Sequence, residues 1–122
     1  MEIKSFKIPK TTVAGGATGS ILADMKVPTG QIVRVVIVAK AHDATAGHSS
    51  IYEITAAVKN VAGTAALVGS PSIVSFKDGA DTLTVGTSTD TFTVSADATA
   101  NNTVFEGMFS TKWSHITITL HI

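Results

Sequence analysis

The chain has 122 residues, 44% of them hydrophobic and only 15% charged, with nine Lys and Arg balancing nine Asp and Glu. This length fits one domain with one core, and the absence of a basic surplus or basic run excludes the electrostatic footprint of a nucleic-acid binder. With no cysteine, disulfides, thiolate catalysis and cysteine metal sites are excluded together.

A mean hydropathy of +0.34 leaves few surface charges to keep copies apart. The longest mostly apolar run, Gln31 to Ala41, is interrupted by Arg34 and Lys40 and falls short of the ~20 residues of a membrane-spanning helix. The opening MEIKSFKIPK lacks the apolar core of a secretory signal. A soluble product of the cytosol, with no membrane partner, is the expectation.

Eighteen threonines and sixteen alanines, with frequent Ile and Val, make a strand-and-turn composition. Period-two alternation recurs, and no segment beyond about 11 residues keeps a helical stripe. Residues 1–20 read as an N-terminal arm and hinge: a strand-like EIKSFKI, then TTVAGGATGS with Gly15, Gly16 and Gly19. Residues 21–122 read as the folded domain. ILADMKV and a turn at Pro28-Thr29-Gly30 precede QIVRVVIVAKA, which places Val33, Val35, Ile37 and Ala39 on one face and Arg34, Val36, Val38 and Lys40 on the other. Both faces are partly apolar, which predicts a strand that is central or covered on both sides.

After the loop HDATAGH comes a half-buried strand with Tyr52, Ile54, Ala56 and Val58 inward and Glu53, Thr55 and Lys59 outward. A turn near Ala62-Gly63-Thr64 reverses it into AALVG. Pro71 then marks an edge or strand start before IVSF. KDGADT reads as a solvated turn. DTFTVSAD directs Phe92, Val94 and Ala96 inward, DATANN turns into TVFEGMF, and WSHITITLHI closes the chain. Eight or nine short strands of this spacing predict an all-β antiparallel sandwich, jelly-roll-like, with an open meander or small barrel as runner-up.

No catalytic constellation stands out. His115 and His121 lie on one face of the last strand but six residues, roughly 20 Å, apart. His42 and His48 bracket a loop and could approach each other, without a third ligand at a metal-site spacing. Asp78-Gly79-Ala80-Asp81 lacks the further ligands of a calcium loop. Glu53 and Glu106 could serve a glycosidase only at a suitable separation, and ion pairing with Arg34, Lys40 or Lys59 is the simpler account. No G-x-S-x-G elbow or phosphate loop occurs. The expectation is therefore no catalytic residue, no cofactor and no metal. Phe92 and Phe105 are expected in the core. Phe6 and Ile8 of the arm, with Trp113, His115 and His121 of the last strand, are the expected subunit or partner contacts.

The run AHDATAGHSSIYEITAAVKNVAGTAALVGSPSI, followed by DTFTVSADATANNTVFEG and WSHITITLHI, resembles a β-sandwich module of tailed-bacteriophage structural proteins: capsid decoration (cement) proteins, head fibres and tail-fibre tips. The resemblance covers Ala41 to Ile122. It implies a non-enzymatic virion component assembled in the host cytoplasm, a homo-oligomer with a trimer favoured, and the major capsid protein or another virion protein as partner. Decoration of the shell is the leading expectation, with the arm reaching to a neighbour. The alternative is a fibre or baseplate tip that binds a host receptor or glycan through loops 42–48, 77–82 and 97–102.

Overall fold

In the computed structural model, residues 4–111 and 117–120 are described, and they form ten strands in two antiparallel sheets. The strands are β1 (Lys4–Val13), β2 (Ser20–Lys26), β3 (Ile32–Asp43), β4 (His48–Val61), β5 (Thr64–Leu67), β6 (Ser72–Lys77), β7 (Thr82–Ser88), β8 (Thr91–Asp97), β9 (Thr103–Thr111) and β10 (Thr117–Leu120). The six-stranded sheet runs β1-β9-β3-β4-β5, with β6 also pairing β4, and the four-stranded sheet runs β10-β2-β8-β7. The expected all-β sandwich is the observed one. Strand β7 has no counterpart among the expected strands, because Gly86 and a run of Thr and Ser leave it only Leu83 fully buried.

Alternation explains the layering. Val33, Val35, Ile37, Ala39 and Ala41 of β3, with Tyr52, Ile54, Ala56 and Val58 of β4, turn inward and meet Leu22, Met25, Phe92, Val94 and Ala96 of the other sheet. Phe92 and Phe109 join the two sheets edge-to-face, with ring centroids 6.0 Å apart and planes at 75°. Phe92 and Phe105 are both fully buried, as expected. The opposite face of β3 is not covered: Arg34, Val38 and Lys40 are exposed. Strand β3 is central within its sheet, between β9 and β4, and among the described residues one layer packs on it.

Residues 4–13, expected as the reaching part of an arm, lie as the edge strand β1 against β9, with Ile8 and Val13 in the core. Thr11 to Val13 belong to this strand rather than to a hinge. The glycine segment that follows carries the chain across to the second sheet and is tied at both ends. Gly15 N–H donates to Asn102 Oδ1 (2.9 Å) and Gly19 N–H to Asp97 Oδ1 (2.6 Å). Gly16 N–H and Ala98 N–H bond to Ala98 O and Ala17 O, each at 3.0 Å. A side chain at Gly15 would stand 2.7 Å from the Ala100 carbonyl oxygen, so this residue is set by close approach.

The turns follow the chemistry their residues allow. Pro28-Thr29-Gly30-Gln31 closes with Gln31 N–H on Pro28 O (3.1 Å) and puts Gly30 at φ 85°, the position a type II turn reserves for glycine. Between β4 and β5, Ala62 (φ 54°) and Gly63 (φ 92°) both take positive φ, as a two-residue type I′ hairpin requires. The buried Asn60 joins these two turns: its amide donates to Val27 O (2.6 Å) and its carbonyl accepts from Gly63 N–H (2.9 Å).

Candidate functional site

The two outer faces of the sandwich differ in chemistry. On the four-stranded sheet, the outward residues paired across β7 and β8 are Thr84 with Ser95, Gly86 with Thr93, and Ser88 with Thr91, a hydroxyl-covered surface. On the six-stranded sheet, register sets Met108, Val38, Glu53 and Val74 side by side across β9, β3, β4 and β6. The next row is Glu106, Lys40, Ile51 and Phe76. Val38, Ile51, Val74, Phe76 and Met108 are all exposed, Phe76 by 67%. An apolar field thus runs from β9 to the far edge of the sheet, framed by Lys7, Arg34 and Lys40.

This face is concave at its centre. A depression of ≈ 350 Å³ lies over Gly107 between Lys7, Val38, Ile51 and Met108, and a second of ≈ 560 Å³ continues along Lys10, His42, Ser49 and Val104. Gly107 shares the inward side of β9 with Phe105 and Phe109, where a Cβ would clash with the Val38 carbonyl oxygen and stand 2.7 Å from Ala39 Cα. Glu106, flanking Gly107, pairs with Lys40 at 3.3 Å, the ion pairing expected for it. Glu53 stands two strands and one row away from Glu106, roughly 12 Å between backbones from strand spacing and rise.

The second concentration of polar groups is at one end of the sandwich, where the three loops expected to act together do converge. They line a pocket of ≈ 290 Å³ with Asp43, His48, Asp78, Asp81, Asn101 and Thr103 among its walls. Asp43 shapes the β3–β4 loop: its Oδ1 accepts from Thr45 N–H (2.9 Å) and Ala46 N–H (3.2 Å), and its Oδ2 from Asn101 Nδ2 (3.0 Å). Burial raises its pKa, but the bonds from Asn101, Ala46 and Thr45 and the nearby His48 outweigh burial and leave the carboxyl below its usual value.

The KDGAD turn is exposed at Lys77, Asp78 and Ala80, as expected of a solvated turn, but buries Asp81. Asp78 Oδ1 accepts from Ser49 N–H (2.7 Å). Asp81 is 5% exposed and accepts from Ser50 Oγ (3.0 Å) and from the Tyr52 hydroxyl, which also reaches the Asp81 carbonyl oxygen (2.7 Å). Lys77 Nζ donates to that carbonyl as well and lies 5.7 Å from the centre of the Tyr52 ring. Burial, together with the Asp81 hydrogen bond and charge, pushes the Tyr52 phenol well above its usual pKa. The signal available in the sequence was the pairing of Ser50 and Tyr52 with a carboxylate at position 81, but only folding brings those positions together.

His42 and His48 do not converge. His42 pairs across the hairpin with Ser49 and His48 with Asp43, so they occupy successive rungs and opposite faces. His42 Nδ1 contacts Ser49 Oγ at 3.1 Å. Among the described residues, no group of three or more His, Asp or Glu side chains is placed to hold a metal. No helix among them is long and apolar enough to cross a membrane. Of the expected contact residues, Ile8 is buried in the core, and Phe6 is half-buried opposite Phe109. Trp113, His115 and His121 lie outside the described residues. The exposed apolar field on β3, β4, β6 and β9 was not anticipated.

No protein-family model matches this chain, and no curated protein matches it in sequence. Among solved structures it is similar to the tailspike protein of the Acinetobacter phage vB_ApiP_P1, at 18% identity and a TM-score of 0.49. That likeness covers 96% of this chain and 22% of the tailspike chain.

Proposed function

We propose that this chain is a non-enzymatic structural module of a bacteriophage virion, a decoration or cement domain that binds the major capsid protein or another virion protein and stabilises the shell. The observation that carries the reading is the asymmetry of the sandwich: on one outer face β7 and β8 present hydroxyls beside Asp24 and Lys26 of β2, and the other bears Val38, Ile51, Val74, Phe76 and Met108 exposed together. Contiguous exposed apolar area of this kind marks interaction surfaces. The face carries mixed charge around these apolar residues, with Lys7 and Arg34 at its border, Lys40 paired with Glu106, and Glu53 between Val38 and Val74. The quoted sequence stretches that resemble phage sandwich modules give the same direction.

Particles of the encoding phage made without the chain are expected to lose resistance to heat and osmotic shock, and wild-type chain added back is expected to restore it. The Val38→Asp, Met108→Asp double variant is expected to fold and fail to bind. Equal resistance with and without the chain refutes decoration.

A second reading, a fibre or baseplate tip that binds a host receptor or glycan, is favoured by the convergence of the three loops around Asp43, His48, Asp78 and Asn101. Specific retention on a glycan array or on host cells, abolished by Asn101→Ala, supports it. Absence of both kinds of binding removes it.

A further inference from the structure

We infer that β6 is an open pairing edge whose occupant is β6 of a second copy of this chain, joined antiparallel across a two-fold axis into one continuous sheet. The two edges of the six-stranded sheet are built differently. Edge β1 is blunted: Pro9 has no N–H to offer, the register slips between Ile8 and Thr11, and Lys7 and Lys10 flank the irregularity. These are the devices by which sheets refuse another strand. Strand β6 has no proline and no register slip within it, and its one lysine, Lys77, is drawn to the Asp81 carbonyl and the Tyr52 ring. Its register with β4 is regular from Ser50↔Lys77 to Thr55↔Ser72. All six of its residues are exposed, with Ile73 at 46% and Val74 at 45%. Edge β7 of the other sheet is polar where β6 is apolar, with Thr84, Thr87 and Ser88 exposed.

The strand is self-complementary, which favours a second copy as the occupant. From Ser72 to Phe76 the strand carries no ionisable group, and the one at its end, Lys77, is engaged with the Asp81 carbonyl and the Tyr52 ring. Homotypic pairing therefore sets no like charges opposite each other, the usual obstacle to self-association. Residues facing each other across an antiparallel pair share a side of the sheet. With Ser75 on the two-fold axis, Val74 of each copy faces Phe76 of the other, and Ile73 lies beside the aliphatic stem of Lys77. The apolar field described above then runs unbroken from one copy to the next. Strand addition gains backbone hydrogen bonds with modest buried area. The contact is weak in isolation and strengthened wherever copies are held close together on a larger particle.

This inference goes beyond the functional reading and is tested on the isolated chain. Sedimentation equilibrium into the sub-millimolar range is expected to show a reversible shift from 12.5 kDa to twice that mass. Amide exchange at residues 72–77 is expected to slow only at the higher concentrations. Phe76→Lys and, separately, Val74→Lys are expected to remain monomeric with unchanged thermal melts. A wild-type chain that stays monomeric throughout assigns the edge to a foreign strand and overturns the proposal. So does a trimer, or a dimer that survives both substitutions.

Discussion

Replacing Tyr52 by Phe removes the hydroxyl that holds Asp81, a wall of the loop pocket, and little else. The ring is 2% exposed and keeps its packing, because the exchange nearly conserves volume. The hydroxyl has a single hydrogen and two acceptors in reach, Asp81 Oδ2 and the Asp81 carbonyl oxygen. The stronger partner is the carboxylate, a hydrogen bond to a charged group that contributes about 1.5–3 kcal/mol. Asp81 keeps the Ser50 hydroxyl at 3.0 Å but stays buried with one lone pair unmet, so the loss is expected near the middle of that range, about 2 kcal/mol. Unfolding entropy of about 2.1 cal/mol/K per residue amounts, for 122 residues, to roughly 0.26 kcal/mol/K. Tyr52→Phe should therefore lower the Tm by about 8 °C, read by calorimetry or circular dichroism at neutral pH. Tyr52→Phe in an Asp81→Asn background should cost measurably less, since the charged acceptor is gone. A Tm within a degree of wild type, or equal losses in both backgrounds, refutes the assignment of this hydrogen bond as the anchor of the loop.

Gly107→Ala forces a methyl against the Val38 carbonyl and Ala39 and is expected to destabilise by about 2 kcal/mol or more, seen as a shifted urea midpoint. At the hairpin tips, Ala62→Asn and Thr89→Gly relieve positive φ values of 54° and 52°. Each should stabilise by roughly 1 kcal/mol, and a fall in Tm for either contradicts the turn assignment. Asn60→Ala removes the side-chain bonds to Val27 O and from Gly63 N–H while leaving the backbone bonds of residue 60 to Gly30 and Gln31, and should cost about 2 kcal/mol by denaturant titration. Asp90 is held below its usual pKa by the Thr91 hydroxyl, which with nearby Lys26 outweighs burial, and Asp43 is lowered as well. Their stabilisation is present above the unfolded carboxylate value of about 4 and is lost as the pH falls through the folded values below it. Asp43→Asn should be less stable than wild type at neutral pH, with the gap closing in acid. A gap that persists unchanged there argues against the titration.

Much of the layering was legible because alternation is a local property. The inward faces of β3, β4 and β8 could be read residue by residue, and so could the reversals at Gly30 and Ala62-Gly63 and the edge after Pro71. What escaped the reading has a common cause. Asp81 looked like a turn carboxylate, since its partners Ser50 and Tyr52 lie 31 and 29 residues away. Asn60 drew no reading at all, because its link to Val27 spans 33 positions. The glycines at 15–19 looked like a hinge because their flexibility is intrinsic, whereas their bonds to residues 97–102 come from the fold.

The sequence by itself determined an all-β sandwich and which side of each long strand turns inward, because strand geometry alternates side chains whatever lies beyond them. It could not say how many layers there are: the mixed outer face of β3, with Val36 and Val38 between Arg34 and Lys40, is as compatible with a second covering layer as with none. Tertiary structure decided that no layer of the described chain covers it. The order β9-β3-β4-β6 then gathers Met108, Val38, Ile51, Val74 and Phe76 into one exposed field. That field depends on which strands are neighbours and in what register, a relation between residues far apart in the chain that no local pattern encodes.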